Sequence, residues 1–108
     1  MSPSDAPLTP AVFHVLLSLA DGPLHGYGIM KRVENDSGRM MGPGTVYGSI
    51  RRLVDAGWVE ERTDVSEDKR RSTLFALTPD GRDALTEEAT RLTRLAAMDG
   101  VRRLAHGS

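Results

Sequence analysis

Apolar residues recur at three- and four-residue steps in four stretches of this chain, and two shorter runs have strand character. The first stretch opens at Thr9-Pro10, where Thr is a good N-cap and Pro suits the first helical position. It predicts a helix to about Ala20. Val12, Phe13, Val15, Leu16, Leu17 and Leu19 cover nearly its whole circumference. So apolar a helix is buried on several sides, either at the centre of the chain's own core or partly by a partner subunit. Residues 1–8 are rich in Ser, Pro and small side chains and are expected to form a flexible tail.

Asp21-Gly-Pro23 breaks that helix. Leu24 to Asn35 follows as a short amphipathic helix, with Leu24, Tyr27, Met30 and Val33 at three-residue steps and Ile29 alongside. Gly26 and Gly28 weaken it by about 1 kcal/mol each relative to Ala, a loss that points to another backbone packing closely there. The next helix is bounded by Gly42-Pro43 at its start and by Gly57, placed for a left-handed cap, at its end. Val46, Ile50, Leu53 and Val54 face a core, and Gly44, Thr45, Tyr47, Gly48, Arg51 and Arg52 remain outside. A merely solvated face would carry Glu, Lys and Ala. Small residues beside Thr, Tyr and paired Arg suit close approach to a sugar–phosphate backbone, so helix, turn and helix form a helix-turn-helix with this as its recognition helix. Adjacent Arg51 and Arg52 point about 100° apart, so one of them reaches into the groove.

Trp58 to Thr63 and Arg71 to Thr78 read as two strands of a hairpin, joined by the polar loop Asp64 to Arg70. Directly after a recognition helix, such a hairpin is the wing of a winged helix. Lys69, Arg70 and Arg71 at its tip are either solvated or in contact with phosphates or a minor-groove edge. Thr78-Pro79 starts the last helix, which is expected to run to about Ala105 with Gly100 as a soft point. Its stripe of Leu85, Ala89, Leu92, Leu95, Ala96, Met98, Val101 and Leu104 is too long for the short helices before it to cover, and self-association as a two-fold dimer is the economical answer. The expected fold class is mainly α with a small β-hairpin: a winged helix over residues 9–78 and a C-terminal dimerisation helix over 79–108.

At 108 residues the chain has the size of one domain, and 39% hydrophobic with 27% charged residues describes a folded, soluble protein. No run approaches the roughly 20 apolar residues that span a bilayer, and no basic-then-apolar leader is visible, so a cytoplasmic location and no membrane partner are expected. The absence of cysteine excludes disulfides, thiol catalysis and Cys-bound zinc. A net charge of −1 does not by itself favour nucleic acid, but Arg51, Arg52 and Lys69 to Arg71 fall in two places that one surface can share. There is no Gly-rich phosphate loop, no Ser/His/Asp arrangement with a plausible scaffold and no carboxylate pair on one element facing a cleft, since Glu60 and Glu61 alternate across a strand, so neither an enzyme nor a cofactor is expected. His14, His25 and His106 lack metal-ligand spacing; His25 caps or packs the second helix. The competing class is a winged helix whose recognition face binds protein instead of DNA.

Leu24-His-Gly-Tyr-Gly-Ile, Pro43-Gly-Thr-Val-Tyr with Arg51-Arg52-Leu53, Leu77-Thr78 and Gly81-Arg82 together resemble the PadR family of bacterial transcriptional regulators, from about Leu8 to Ala105. The resemblance implies a homodimeric repressor on a pseudo-palindromic stretch of double-stranded DNA, with Tyr27, Thr45, Tyr47 and Arg51 at the DNA and Lys69 to Arg71 on the wing. With Gly44, Gly48 and Arg52 of the outer helix face added, the expected DNA-binding set is Tyr27, Gly44, Thr45, Tyr47, Gly48, Arg51, Arg52, Lys69, Arg70 and Arg71. The dimerisation set is Val12, Phe13, Leu16, Leu85, Leu92, Leu95, Ala96, Met98, Val101 and Leu104. Some family members answer to small aromatic effectors near the dimer interface, which here implies Phe13, Leu16, Leu92 and Ala96; the same residues would equally close a dry interface. Gly48 stands where the family commonly has Pro, and Gly42 where it has Ser, the latter change costing a few tenths of a kcal/mol of capping.

Overall fold

α1 (Pro10–Ser18) stands at the centre of the fold, in a computed structural model that describes residues 8–38, 41–65 and 71–107, with only the backbone of Val65 and Arg71. Thr9 caps it, its hydroxyl accepting the Val12 N–H at 3.2 Å. α2 (Gly26–Ser37), α3 (Pro43–Asp55) and α4 (Pro79–Ala96) pack around it. Val15, Leu16 and Leu19 join Ile29 and Val33 of α2, Val46, Ile50 and Leu53 of α3, and Ala84 and Leu85 of α4 in one core. Burying a Leu or Ile side chain contributes about 1.5–3 kcal/mol, so this cluster sets the relative placement of the helices. α1 is therefore the chain's own central helix, with Phe13 and Leu17 half-buried on its outer side. Leu8, expected in the tail, packs on this core as well.

The exit from α3 is a Schellman motif. Gly57 takes φ +80°, its N–H donates to the Val54 carbonyl at 3.1 Å, and the Trp58 N–H donates to the Leu53 carbonyl at 2.9 Å. The turn swings the buried Trp58 back beside Leu53 in the core and sends the chain into β2 (Val59–Val65). β2 pairs antiparallel with β3 (Arg71–Leu77), from Val59 opposite Leu77 to Val65 opposite Arg71. The expected hairpin carries a third strand, β1 (Leu24–His25), in the order β1-β3-β2. Leu24 lies opposite Phe75 and His25 opposite Leu74, so α2 begins at Gly26 and not at Leu24.

α4 is clamped where it starts. The Thr78 N–H donates to the Trp58 carbonyl at 3.0 Å, and the Thr78 hydroxyl donates to the Gly57 carbonyl at 2.6 Å while its own oxygen accepts the Gly81 N–H at 3.1 Å. Gly81, Ala84, Leu85 and Glu88 are buried, so the first half of α4 belongs to the winged-helix core and not to a separate C-terminal unit. From Ala89 to Gly107 every residue is exposed. The single long helix expected to Ala105 is broken: Met98 is extended (φ −68°, ψ 138°), and α5 (Asp99–Ala105) restarts with Asp99 in its first turn. Gly100 lowers helix propensity beside that break, and acidic Asp99 favours a new N-terminus.

Among the described residues, Glu88 is the one buried charge. It accepts two hydrogen bonds from Arg91, at 2.5 and 3.0 Å, and one from the Leu8 backbone N–H. The Arg91 guanidinium holds its carboxyl below the usual range against the opposing effect of burial. A depressed folded-state pKa stabilises the fold above the unfolded value and is lost as the pH falls through the folded one. Stability against urea is therefore expected to drop as the pH is lowered below about 4.3, and Glu88→Gln should flatten that part of the curve. An unchanged acid limb in the variant would show that Glu88 is not the group responsible.

Candidate nucleic-acid interface

Pro43 occupies the first helical position of α3, after an extended Gly42 with no side-chain cap. Its buried side is Val46, Ser49, Ile50 and Leu53, and the Ser49 hydroxyl is satisfied within the helix by the Thr45 carbonyl at 2.9 Å. That anchoring leaves Gly44, Thr45, Tyr47, Gly48, Arg51 and Arg52 all exposed. At 100° per residue, Gly44, Gly48 and Arg51 lie along the outermost line, Thr45 and Arg52 flank it on one side and Tyr47 on the other. Thr45 and Arg52, with Gly44, Gly48 and Ser49, share a shallow polar hollow with Thr9 and Ala11 at the start of α1.

Gly44 and Gly48 have no internal cause. A Cβ built on either would meet nothing within 4 Å, and neither has a positive φ. Glycine at such positions costs helix stability without a return inside the chain. Arg51 and Arg52 are likewise engaged in no ion pair among the described residues, whereas Arg32, Arg62 and Arg91 are held by Asp21, Glu60 and Glu88.

Gly26 does have a cause, though not the close backbone expected. A Cβ there would sit 2.6 Å from Cε1 and 2.8 Å from the hydroxyl of Tyr47, so the phenol ring of α3 lies across the first residue of α2. Tyr47 remains 47% exposed, neither a core residue nor a free one. Gly28 meets only the Leu24 side chain, at an ordinary 3.6 Å. Tyr27 is 63% exposed beside it, with Lys31 Nζ 5.6 Å from its ring centroid. Lys69 and Arg70 lie outside the described residues; Arg71 opens β3. His25 occupies the N-cap position of α2 without capping it: Nδ1 is 3.0 Å from the Thr73 carbonyl oxygen and Nε2 is 3.4 Å from Asp64 Oδ2.

Two of the residues expected at a subunit interface are spent inside the chain. Leu16 is fully buried and Leu85 nearly so, both in the core cluster, because α1 is surrounded by α2, α3 and α4. Leu16 has no surface to meet a partner or an effector, and Leu85 keeps only the edge that lines an open groove beside α1. Val12 and Phe13 are half-buried; Leu92, Leu95, Ala96, Met98, Val101 and Leu104 are exposed. An open groove runs between the end of α1 and α4, lined by Leu17, Ala20, Leu85, Ala89, Thr93 and Arg94 among others. Phe13, Leu92 and Ala96 do not line it, and Leu17 and Ala20 went unassigned because one helix's periodicity does not say which face its neighbours leave open. Among the described residues no group of His, Asp or Glu is placed to hold a metal ion, and no helix is long and apolar enough to cross a membrane.

Comparison with known proteins gives this surface its context. Residues 15–87 match the model of the transcriptional regulator PadR-like family. A 37.1 kDa protein of transposon TN4556 from Streptomyces fradiae is 44% identical over 76% of the chain, which spans only 23% of that protein. The transcriptional regulator Rv3488 of Mycobacterium tuberculosis is 36% identical over 77% of this chain and 76% of its own. Among solved structures, a PadR-like regulator from Bacillus cereus superposes with a TM-score of 0.77 over 90% of the chain and 92% of its own, at 15% identity. Bacillus subtilis PadR in complex with operator DNA superposes with a TM-score of 0.61, at 24% identity, over 70% of the chain and 44% of its own. A family match over most of the chain, on a winged-helix fold shared with these structures, shows that this chain belongs to the transcriptional regulator PadR-like family.

Proposed function

We propose that the protein binds double-stranded DNA as a homodimer through the outer face of α3 and represses transcription by occupying a pseudo-palindromic operator. The observation that carries the DNA reading is the pair Gly44 and Gly48, bare of internal contacts on the outermost line with Arg51, between Thr45 and Arg52 on one flank and Tyr47 on the other. The Bacillus subtilis relative was solved on operator DNA, which supports the same use of the fold here. Arg51, on the outermost line, reads a base edge. Arg52, in the hollow beside Thr9, holds a phosphate, and Lys69 to Arg71 add wing contacts. Arg51→Ala is expected to relax sequence preference by about 1–3 kcal/mol, and Arg52→Ala to weaken all DNA alike while lowering the salt slope by about 1. Exchanged phenotypes would reverse the two roles.

The dimer reading rests on Leu92, Leu95, Met98, Val101 and Leu104, which are 39–83% exposed along α4 and α5 with none of the described residues over them. Leu95→Asp is expected to weaken the dimer at least about 30-fold, the size of an interface hot spot, with the melting of the winged-helix core retained. Light scattering that still reports dimer at micromolar protein would remove this face from the interface. The two recognition helices then meet half-sites about one helical turn apart. A small aromatic effector at the subunit interface, near Phe13, Leu92 and Ala96, would release the DNA by changing that spacing.

Fluorescence anisotropy tests the reading, with a labelled duplex from directly upstream of the protein's own gene beside a scrambled one. Affinity retained on the first at about 200 mM salt and lost on the second supports a regulator of that site. No binding to either duplex at about 50 mM salt would overturn DNA binding and bring the protein-interaction module forward.

A further inference from the structure

His25 sits where three parts of the molecule meet. It closes β1, stands at the N-cap of α2, and precedes Gly26, over which the Tyr47 ring lies, and the exposed Tyr27. Its imidazole turns away from α2 and bridges both wing strands, with Nδ1 3.0 Å from the Thr73 carbonyl oxygen of β3 and Nε2 3.4 Å from the Asp64 carboxylate of β2. A carbonyl oxygen only accepts, so Nδ1 carries the proton of that bond; a carboxylate only accepts as well, so the Asp64 contact holds only the imidazolium form, with both ring nitrogens protonated.

The positions of these partners matter. β1 is two residues long and pairs with β3 alone, so the backbone holds the wing near Phe75 and Leu74. Asp64 is the last residue but one of the β2–β3 ladder, opposite Ser72, far from the Val59–Leu77 end where the hairpin leaves the core. β1 holds the hairpin at the middle of its ladder, and the His25 side chain extends that hold to Thr73 and Asp64, one and two residues further toward the tip. Both partners are half-exposed, so the link adds little to global stability and acts instead on direction.

We propose that His25 is a positioning residue for DNA binding: it fixes the attitude of the wing relative to α2 and, through Gly26 and Tyr47, to the recognition helix. The inference rests on the DNA-binding reading above. It assigns the histidine of the His-Gly-Tyr run a role in the geometry of the DNA-binding surface, and neither a contact with DNA nor a metal ligand.

The test uses the full chain and a labelled mixed-sequence duplex, with salt titrated from about 50 to 200 mM, where phosphate contacts dominate affinity. His25→Ala is expected to lower the salt slope by about 1–2, the same loss expected of Lys69→Ala/Arg70→Ala. Added to that wing variant, it should cost little more, because the contacts it positions are already gone. His25→Gln, which keeps an N–H donor, should recover part of the loss. Asp64→Ala gives a second and sharper reading. Removing an acid near DNA tightens binding by charge alone, whereas loss of positioning weakens it. Melting should stay at the wild-type value in all these variants. Wild-type slopes in both His25→Ala and Asp64→Ala, full additivity with the wing variant, or losses that track melting would overturn the proposal. If the wild-type protein fails to bind the duplex at the lowest salt, the DNA reading falls, and this role with it.

Discussion

Gly81→Ala is expected to destabilise the protein by about 3 kcal/mol or more, a large share of a small domain's stability. An alanine Cβ at this position would lie 1.9 Å from the Trp58 carbonyl oxygen and 2.8 Å from its carbon. Both are backbone atoms, and that oxygen already accepts the Thr78 N–H at the start of α4. Relief would require moving α4 off the end of the Schellman turn, which would strip Ala84 and Leu85 from the core. Urea unfolding followed by far-UV circular dichroism measures the effect. Gly100→Ala is the control, since nothing lies within 4 Å of its Cβ. Equal midpoints for Gly81→Ala and wild type would mean that α4 is not seated on Trp58 in this way.

The second large effect has opposite signs in two assays. Gly44→Ala/Gly48→Ala should raise folding stability by about 1–2 kcal/mol, mostly through Gly48 in the helix interior, because alanine is the better helix former. The same substitutions should weaken DNA binding by roughly tenfold or more, since two methyl groups hold the helix axis away from the sugar–phosphate backbone. A residue retained for the fold loses both properties together when replaced. One retained for a close approach to a ligand loses only affinity.

Much of this was legible in the sequence because it depends on local rules. Thr9-Pro10 and Thr78-Pro79 announce helix starts through capping chemistry, and both hydroxyls accept the N–H three residues on. Gly57 announces the left-handed exit from α3. The outer face of α3 was readable as what remains once Val46, Ile50 and Leu53 claim the core.

What was not legible depends on contacts between distant segments. Leu24-His25 is too short to carry a period of two, and it becomes a strand only because Phe75 and Leu74 are beside it. Leu16 and Phe13 are equally apolar, and only the placement of α2, α3 and α4 separates the core residue from the half-exposed one. The reason for Gly81 is a carbonyl from the far side of the wing, and the reason for Gly26 is a tyrosine ring from the next helix. The apolar stripe continues past Ala96 as though the helix did, and the extended Met98 is nowhere marked beyond the nearby Gly100.

The claim on which the account turns is that α3 presents Gly44 and Gly48 to DNA because something outside the chain comes close there. Measuring urea stability and anisotropy affinity on one preparation of Gly44→Ala/Gly48→Ala tests it most directly. The account predicts a more stable protein that binds the upstream duplex at least about tenfold more weakly. A more stable protein with undiminished affinity would contradict it, and would place the DNA on another face of the molecule.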